Sequence, residues 1–251
     1  MHILITNDDG IRAEGLLQLT ECAVKAGHRV TVCAPDTERS AASHSISITK
    51  PLRVKESIIH GMKAYAVDGT PADCARLGMY LLRNDRPDFC ISGINRGPNL
   101  GGACIYSGTV GAAMEASMAG CPALAASLKS FTQNDYSAAA RISVKVAEWA
   151  VNHPLSRGAI YNLNVPPIPY SEILGVRKTP VLAPTYLTEA RYEAFVSEYN
   201  NLYYFLTDGE NTMTYPEDSD EILCDKGWAT VSSLSWDLSH KPGMDDINLS
   251  L

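Results

Sequence analysis

The chain has 251 residues, 45 % of them hydrophobic, enough for one large α/β domain or a core domain with an appendage. Its net charge of −7 excludes the basic footprint that long nucleic acid requires, and no apolar run of roughly 18 or more residues or basic-then-apolar leader points to a membrane span or secretion. The seven cysteines are scattered with no CxxC pair, so they read as buried thiols in a reducing cytoplasm, not as a disulfide frame or zinc site.

Ile3-Leu4-Ile5 opens the chain as a buried strand and runs into Thr6-Asn7-Asp8-Asp9-Gly10. In an extended strand Asp8 and Asp9 point to opposite faces, but a turn at Asp9-Gly10 lets both converge. Ligands of open α/β sheets sit at the carboxyl ends of the strands, and two ionised carboxylates brought together there call for a hard divalent cation. The bland alternative is a strand-to-helix turn with one Asp as N-cap, which leaves the second Asp unexplained.

Glu14 to Ala26 carries a helical apolar stripe stopped by Gly27, and Arg29 to Ala34 follows as a second strand. Strand, helix, strand is a βαβ unit and implies a parallel sheet, although no GxGxxG follows the first strand. The polar segment Asp36 to Lys50 leaves the second strand on the same side and overhangs the same place; Ser40 and His44 stand out in it. Leu52 to Glu56 and Lys63 to Val67 form a β ribbon turning at His60-Gly61. Gly69-Thr70-Pro71-Ala72-Asp73 is a helix start, with Thr70 as N-cap, Pro71 at the first helical position and Asp73 at the positive end of the dipole.

Asp88 to Ile94 is another buried strand, and its exit, Asn95 to Gly102, is too glycine-rich and polar to be a packed element. Tyr106-Ser107-Gly108-Thr109 leads directly into a helix over Val110 to Ala119. Free N–H groups, the positive dipole end and two hydroxyls make a cradle for phosphate there, with simple capping by Ser107 or Thr109 as the alternative. A strand over Pro122 to Ser127, a helix over Tyr136 to Val151 and a last core strand over Ile160 to Val165 complete the core, residues 1–165. Residues 166–251 read as a smaller β-rich arm, with strands at Arg177 to Pro180, Leu202 to Thr207 and Gly227 to Ser233. An acidic solvated loop carries Glu217, Asp218, Asp220 and Glu221.

These motifs, in order and spacing, resemble the SurE family, the stationary-phase survival nucleotidases. The residues that carry the likeness are Thr6 to Gly10, Ala34-Pro35-Asp36 with Glu38 to Ala41, Ser43-His44-Ser45, Gly69 to Cys74, Ser92 to Gly97 and Ser107 to Gly111. The likeness implies a Rossmann-like, mostly parallel sheet sandwiched by helices, with the C-terminal arm mediating homodimers or homotetramers and returning to the core near its end. It also implies metal-dependent hydrolysis of nucleoside monophosphates to nucleoside and phosphate by a 5′-nucleotidase, with 3′-nucleotidase and exopolyphosphatase activity as extensions. Carried over by position, Asp8, Asp9, Ser40 and Asn95 are the metal ligands, and Ser107, Gly108 and Thr109 hold the phosphate. Where many relatives carry an acidic residue shortly before Ser-Gly-Thr, this chain has Gly102-Ala103.

All four ligand candidates offer oxygen, which suits Mg²⁺ or Mn²⁺. In the chemistry this supports, Asp8 orients the attacking water, while Asn95 and the helix terminus at Ser107 stabilise charge on the phosphoryl oxygens. His44 is a candidate general acid, a structural hydrogen bond being the alternative. An aspartyl-phosphate route lacks the DxD spacing of that phosphatase class. The reading from a different class is a module that binds a nucleotide or phosphosugar without cleaving it.

Overall fold

The computed structural model describes residues 1–180, 191–198, 200–207 and 214–237. Its centre is β1 (His2–Thr6), all five of whose residues are buried. Ile3 and Ile5 join one apolar cluster and Leu4 the other, as the two-residue period of a strand dictates. A strand covered on both faces has no polar side to show, hence its unbroken apolar run.

α1 (Glu14–Lys25) leads to β2 (Arg29–Pro35), and the ribbon β3 (Val54–Ile59) and β4 (Met62–Val67) follows. Then come α2 (Pro71–Leu81), β5 (Phe89–Arg96), α3 (Gly108–Met118), β6 (Ala123–Leu128), α4 (Ser137–Ala150) and β7 (Ala159–Val165). The ribbon's turn at His60-Gly61 takes both residues to positive φ, 47° and 78°. α1 and α4 pack on each other, as do α2 and α3, and the two pairs belong to the two apolar clusters. Helices thus sandwich the sheet, as the α/β reading requires.

The sheet has nine strands in the order β3-β4-β2-β1-β5-β6-β7-β11-β8, where β8 is Val176–Lys178 and β11 is Ala229–Ser235. From β4 to β7 all neighbours are parallel. β2 lies on one side of β1 and β5 on the other, so the winding reverses at β1 and opens a crevice at the carboxyl ends of β1 and β5. Asp8 and Asp9 leave one of those strands, and Asn95 and Arg96 end the other.

Three expectations are corrected. The sheet does not end at β7: β11 pairs with it antiparallel, and β8 pairs with β11. Only half of the acidic stretch is a solvated loop: Glu217 and Asp218 are exposed, but Asp220 is 1 % exposed and starts α5 (Asp220–Asp225), which also holds Glu221 and is capped by Ser219. The exit from β5 is packed: Asn99, Leu100 and Cys104 are buried, and Gly101–Ile105 form a 3₁₀ turn. β9 (Arg191–Val196) was not foreseen; it pairs antiparallel with β10 (Leu202–Thr207) as a separate hairpin. All seven cysteines are free, and all but Cys22 are buried.

Candidate functional site

The turn after β1 is fixed from several sides. Asn7 Nδ2 donates to the Gly10 carbonyl at 2.9 Å, and Gly10 adopts φ +101°, a conformation that favours glycine. The Ile11 N–H reaches the Pro35 carbonyl at 2.8 Å, and the Arg39 N–H reaches the Asp8 carbonyl at 2.7 Å. These bonds tie the loop after β2 to the loop after β1. A second set holds that loop to α2 and α3. Thr70 and Asp73 form a reciprocal capping box, Asp73 Oδ1 accepts from the Ser47 N–H at 2.8 Å, and Thr70 Oγ1 donates to the Ser45 carbonyl at 2.6 Å. A Cβ on Gly111 would lie 2.6 Å from the Ser43 carbonyl, so only glycine lets the loop seat on α3.

Asp8 is 6 % exposed, and its Oδ1 accepts from Thr109 Oγ1 at 2.5 Å. Burial pushes its carboxyl upward, although the Thr109 hydroxyl opposes the shift. Asp9 accepts from the Arg96 N–H at 3.0 Å. Burial and then the neighbouring Asp8 charge raise its pKa to about 6, against the opposing hydrogen bond from the Arg96 N–H and the weaker pull of the Arg96 charge. Two carboxylates are thus desolvated side by side with little positive charge to offset them.

A cleft of about 550 Å³ opens here, lined by Asp8, Ser40, Asn95, Arg96 and Ser107 on its polar side. Asn95 Nδ2 donates to the Gly97 carbonyl at 2.9 Å, which commits the nitrogen and leaves Oδ1 for a ligand. Ser40 Oγ donates to Glu38 at 2.6 Å, so its lone pairs are the atoms it can offer. Ser107 caps α3, its Oγ accepting from the Val110 N–H at 3.1 Å. Gly108 lies against the aspartate: a Cβ there would meet Asp8 Cβ at 3.0 Å and Pro71 Cγ at 2.9 Å.

The structure therefore brings Asp8, Ser40, Asn95 and Ser107 to one cleft, with Asp9 at the same turn. Thr109 is fully buried and gives its hydroxyl to Asp8, toward which its backbone N–H also points, so the Gly108 N–H is the first-turn group left for a phosphate to use. His44 is turned elsewhere. Its Nε2 lies 2.9 Å from Glu115 Oε2, while Arg76 Nε donates to Glu115 Oε1 at 2.7 Å. The His44 hydrogen bond, followed by that of Arg76, outweighs burial and holds the Glu115 carboxyl below its ordinary value.

Sequence reasoning missed a buried asparagine cluster. The Asn99 carbonyl accepts from Asn162 Nδ2 and Asn164 Nδ2, both at 2.9 Å; the Asn99 N–H donates to Asn164 Oδ1 at 2.8 Å, and Asn99 Nδ2 donates to Ser127 Oγ at 2.8 Å. Asp220 Oδ2 adds a bond from the Gly101 N–H at 3.1 Å. Together they clamp the loop that carries Asn95 to Ser107. The signal was present: Asn162 and Asn164 alternate with apolar residues in a strand, so both point to one face. Tyr192 and Leu206 of the hairpin, with Tyr106 and Phe131, form the apolar wall of the cleft, which no spacing announced.

Among the described residues no group of three or more His, Cys, Asp and Glu side chains is placed to hold a metal. The set here is different: two desolvated carboxylates with a hydroxyl and an amide oxygen. Uncompensated negative charge and all-oxygen donors fit a hard divalent cation.

Fold and site together define a Rossmann-like α/β protein with an acidic centre and a helix N-terminus beside it at the switch point of a parallel sheet. Residues 3–188 match the model of the family described as "Survival protein SurE", and the chain belongs to that family. It is 38 % identical over 259 residues to a protein of Synechococcus elongatus named 5′-nucleotidase SurE, covering 99 % of this chain and 98 % of that one. A Gloeobacter violaceus protein of the same name is 39 % identical over 97 % of this chain and 93 % of its own. The crystal structure of the Aquifex aeolicus SurE protein superposes with a TM-score of 0.82 at 33 % identity, covering 96 % of this chain and 95 % of that one.

Proposed function

We propose that this protein is a metal-dependent 5′-nucleotidase, a phosphomonoesterase that converts nucleoside monophosphates to nucleoside and phosphate. The observation that carries the reading is the juxtaposition of the buried, mutually repelling Asp8 and Asp9 with the N-terminus of α3. Asp8, Asp9, Ser40 and Asn95 would hold Mg²⁺ or Mn²⁺. That ion would offset the carboxylate charge, polarise the phosphoryl group and acidify a water.

The chain's own groups do the rest. Ser107 and the Gly108 N–H in the first turn of α3 receive the phosphoryl oxygens, where the helix dipole favours negative charge. Asp8, held in place by Thr109, orients the attacking water; a carboxylate whose pKa burial has raised is a better proton acceptor than an exposed one. Asn95, its Nδ2 held by the Gly97 carbonyl, offers Oδ1 to the cation, through which charge on the phosphoryl oxygens would be offset. His44, paired with buried Glu115, serves as a tether between the loop after β2 and α3.

An apolar hairpin supports self-association. Phe195 stacks on Tyr203 and Phe205 at 5.0 and 5.3 Å, and all three are exposed. An isolated two-stranded hairpin is marginal in water, so a second copy covering this face would form a homodimer, or two such pairs a homotetramer. Among the described residues no helix is long and apolar enough to cross a membrane, and seven free thiols suit a cytoplasmic setting.

Release of inorganic phosphate from AMP and GMP by the purified protein, with Mg²⁺ or Mn²⁺ and then with EDTA, tests the reading. Cation-dependent release supports it. Tight nucleotide binding with no release would instead make the protein a non-hydrolytic binding module.

A further inference from the structure

We propose that the chain carries a second, non-catalytic ligand site, a basic hollow between the ribbon β3–β4 and the loop that opens α1. Its ligand bears two or more phosphates on an apolar or planar body, the chemistry of a nucleoside triphosphate. The inference stands apart from the nucleotidase reading, because the hollow shares no lining residue with the catalytic cleft.

The hollow has a volume of about 550 Å³, the size of a small-molecule site and far larger than a bare phosphate needs. Ile11, Val54 and Ala66 line it with apolar surface, while Arg12, Arg53 and Lys55 face it against one acid, Asp36. This local excess of cations runs against the net charge of −7 on the whole chain. Asp36 cannot neutralise it. Its carboxylate is shared between Arg53 at 3.3 Å and Arg39 at 3.7 Å, and Arg39 pairs more closely with Asp68, at 3.0 Å. Among the described residues Arg12 and Lys55 have no ion pair. Edge strands such as β3 carry charge to discourage pairing with another chain, and charge of either sign serves. That role does not require Arg12, from a different loop, to join Arg53 and Lys55 around one cavity.

The backbone beneath these cations is fixed. The Ile11 N–H donates to the Pro35 carbonyl at 2.8 Å, the Asp36 N–H to the Val67 carbonyl at 2.9 Å and the Asp68 N–H to the Arg53 carbonyl at 2.9 Å, while Lys55 sits opposite Ala66 in the ribbon. Two guanidinium forks match phosphate oxygens bidentately and a lysine adds a point charge. A guanidinium face or the apolar lining then takes the ligand's body. The hollow also adjoins the catalytic turn, since Asp36 binds Arg39, whose N–H holds the Asp8 carbonyl at 2.7 Å.

ATP binding is measured by calorimetry in EDTA, where no cation offsets the Asp8 and Asp9 carboxylates and the catalytic cleft repels phosphate. The proteins compared are wild type, Arg12→Gln, Arg53→Gln and Ser107→Ala. Wild type should bind ATP; Arg12→Gln and Arg53→Gln should each weaken it about tenfold or more, and Ser107→Ala should stay within about twofold. Tripolyphosphate should displace the bound ATP and adenosine should not. Arg12 and Arg53 are exposed, and thermal melting checks that each variant is folded. With Mn²⁺ and no ATP, Arg12→Gln and Arg53→Gln should turn over AMP as wild type does. No ATP binding by wild type, binding unchanged in both arginine variants, displacement by adenosine but not by tripolyphosphate, or a matching loss of AMP turnover in the arginine variants overturns the proposal. The expected binding pattern in a protein that releases no phosphate from AMP would leave it standing and overturn the hydrolase reading instead.

Discussion

Replacing Asp9 with Asn should make the metal-free protein more stable and inactive at once. The pKa of Asp9 rises from the ordinary 3.8 to about 6, because burial and Asp8 both disfavour its charge. At about 1.36 kcal/mol per pH unit, a rise of roughly two units costs the ionised fold about 3 kcal/mol. Solvent screening at a partly exposed rim reduces this to roughly 1.5 kcal/mol. Asparagine keeps an oxygen for the Arg96 N–H, so the hydrogen bond at 3.0 Å survives. In a chain of this size the gain corresponds to a rise in Tm of about 3–6 °C. The sign fixes the pH window. Below 3.8 Asp9 is protonated in both states and the substitution gains nothing; from 3.8 to about 6 wild-type stability falls as pH rises, and above about 6 the penalty is complete. Thermal denaturation in EDTA at pH 4 and at pH 7.5 reads the difference. With millimolar Mn²⁺ or Mg²⁺ wild type should gain stability by mass action and the variant should not. A variant less stable than wild type in EDTA at pH 7.5, or one that retains full turnover, would refute the reasoning.

Thr109→Val removes the hydroxyl that fixes Asp8 while keeping the shape; turnover should fall about tenfold to a hundredfold, with little loss of cation binding by titration. Asn99→Ala removes only the amide that donates to buried Ser127 Oγ, because Asn162 and Asn164 bond the Asn99 backbone and keep their partners, and chemical denaturation should show a loss of about 1–3 kcal/mol. His44→Gln, which can still donate to Glu115, should keep kcat within about threefold and leave the pH profile unchanged; loss of one limb of that profile would make His44 a general acid. Because Glu115 is held below its ordinary 4.5, the stability it contributes is present above that pH and lost as pH falls. His44→Ala should therefore narrow the gap in Tm between pH 7 and pH 4.

Much of the core was legible because its strands are buried on both faces and its helices carry caps with plain chemistry. The run Ile3-Leu4-Ile5 and the Thr70-Pro71-Asp73 start identify themselves by burial and by local hydrogen bonding, which depend on near neighbours in sequence. Ser107 was placed for the same reason, as the cap of a helix. Legibility failed where a residue's partner is distant along the chain. Asp220 looks like one acid among several, yet it is buried because it meets the Gly101 N–H, 119 residues away. The loop from Asn95 to Gly102 looks unpacked because its partners, Asn162 and Asn164, belong to β7. β11 reads as an arm strand until its antiparallel pairing with β7 is seen. The acidic pair was visible as a pair, whereas the raised pKa of Asp9 and the role of Thr109 required α3 to be laid against β1.

A Mn²⁺-soaked crystal, measured above and below the manganese absorption edge, puts the ion itself on the map. An anomalous peak bonded to oxygens of Asp8 and Asp9, with Asn95 in reach, is the expected result. A protein that releases phosphate from AMP while its manganese lies elsewhere, or binds none, would contradict it.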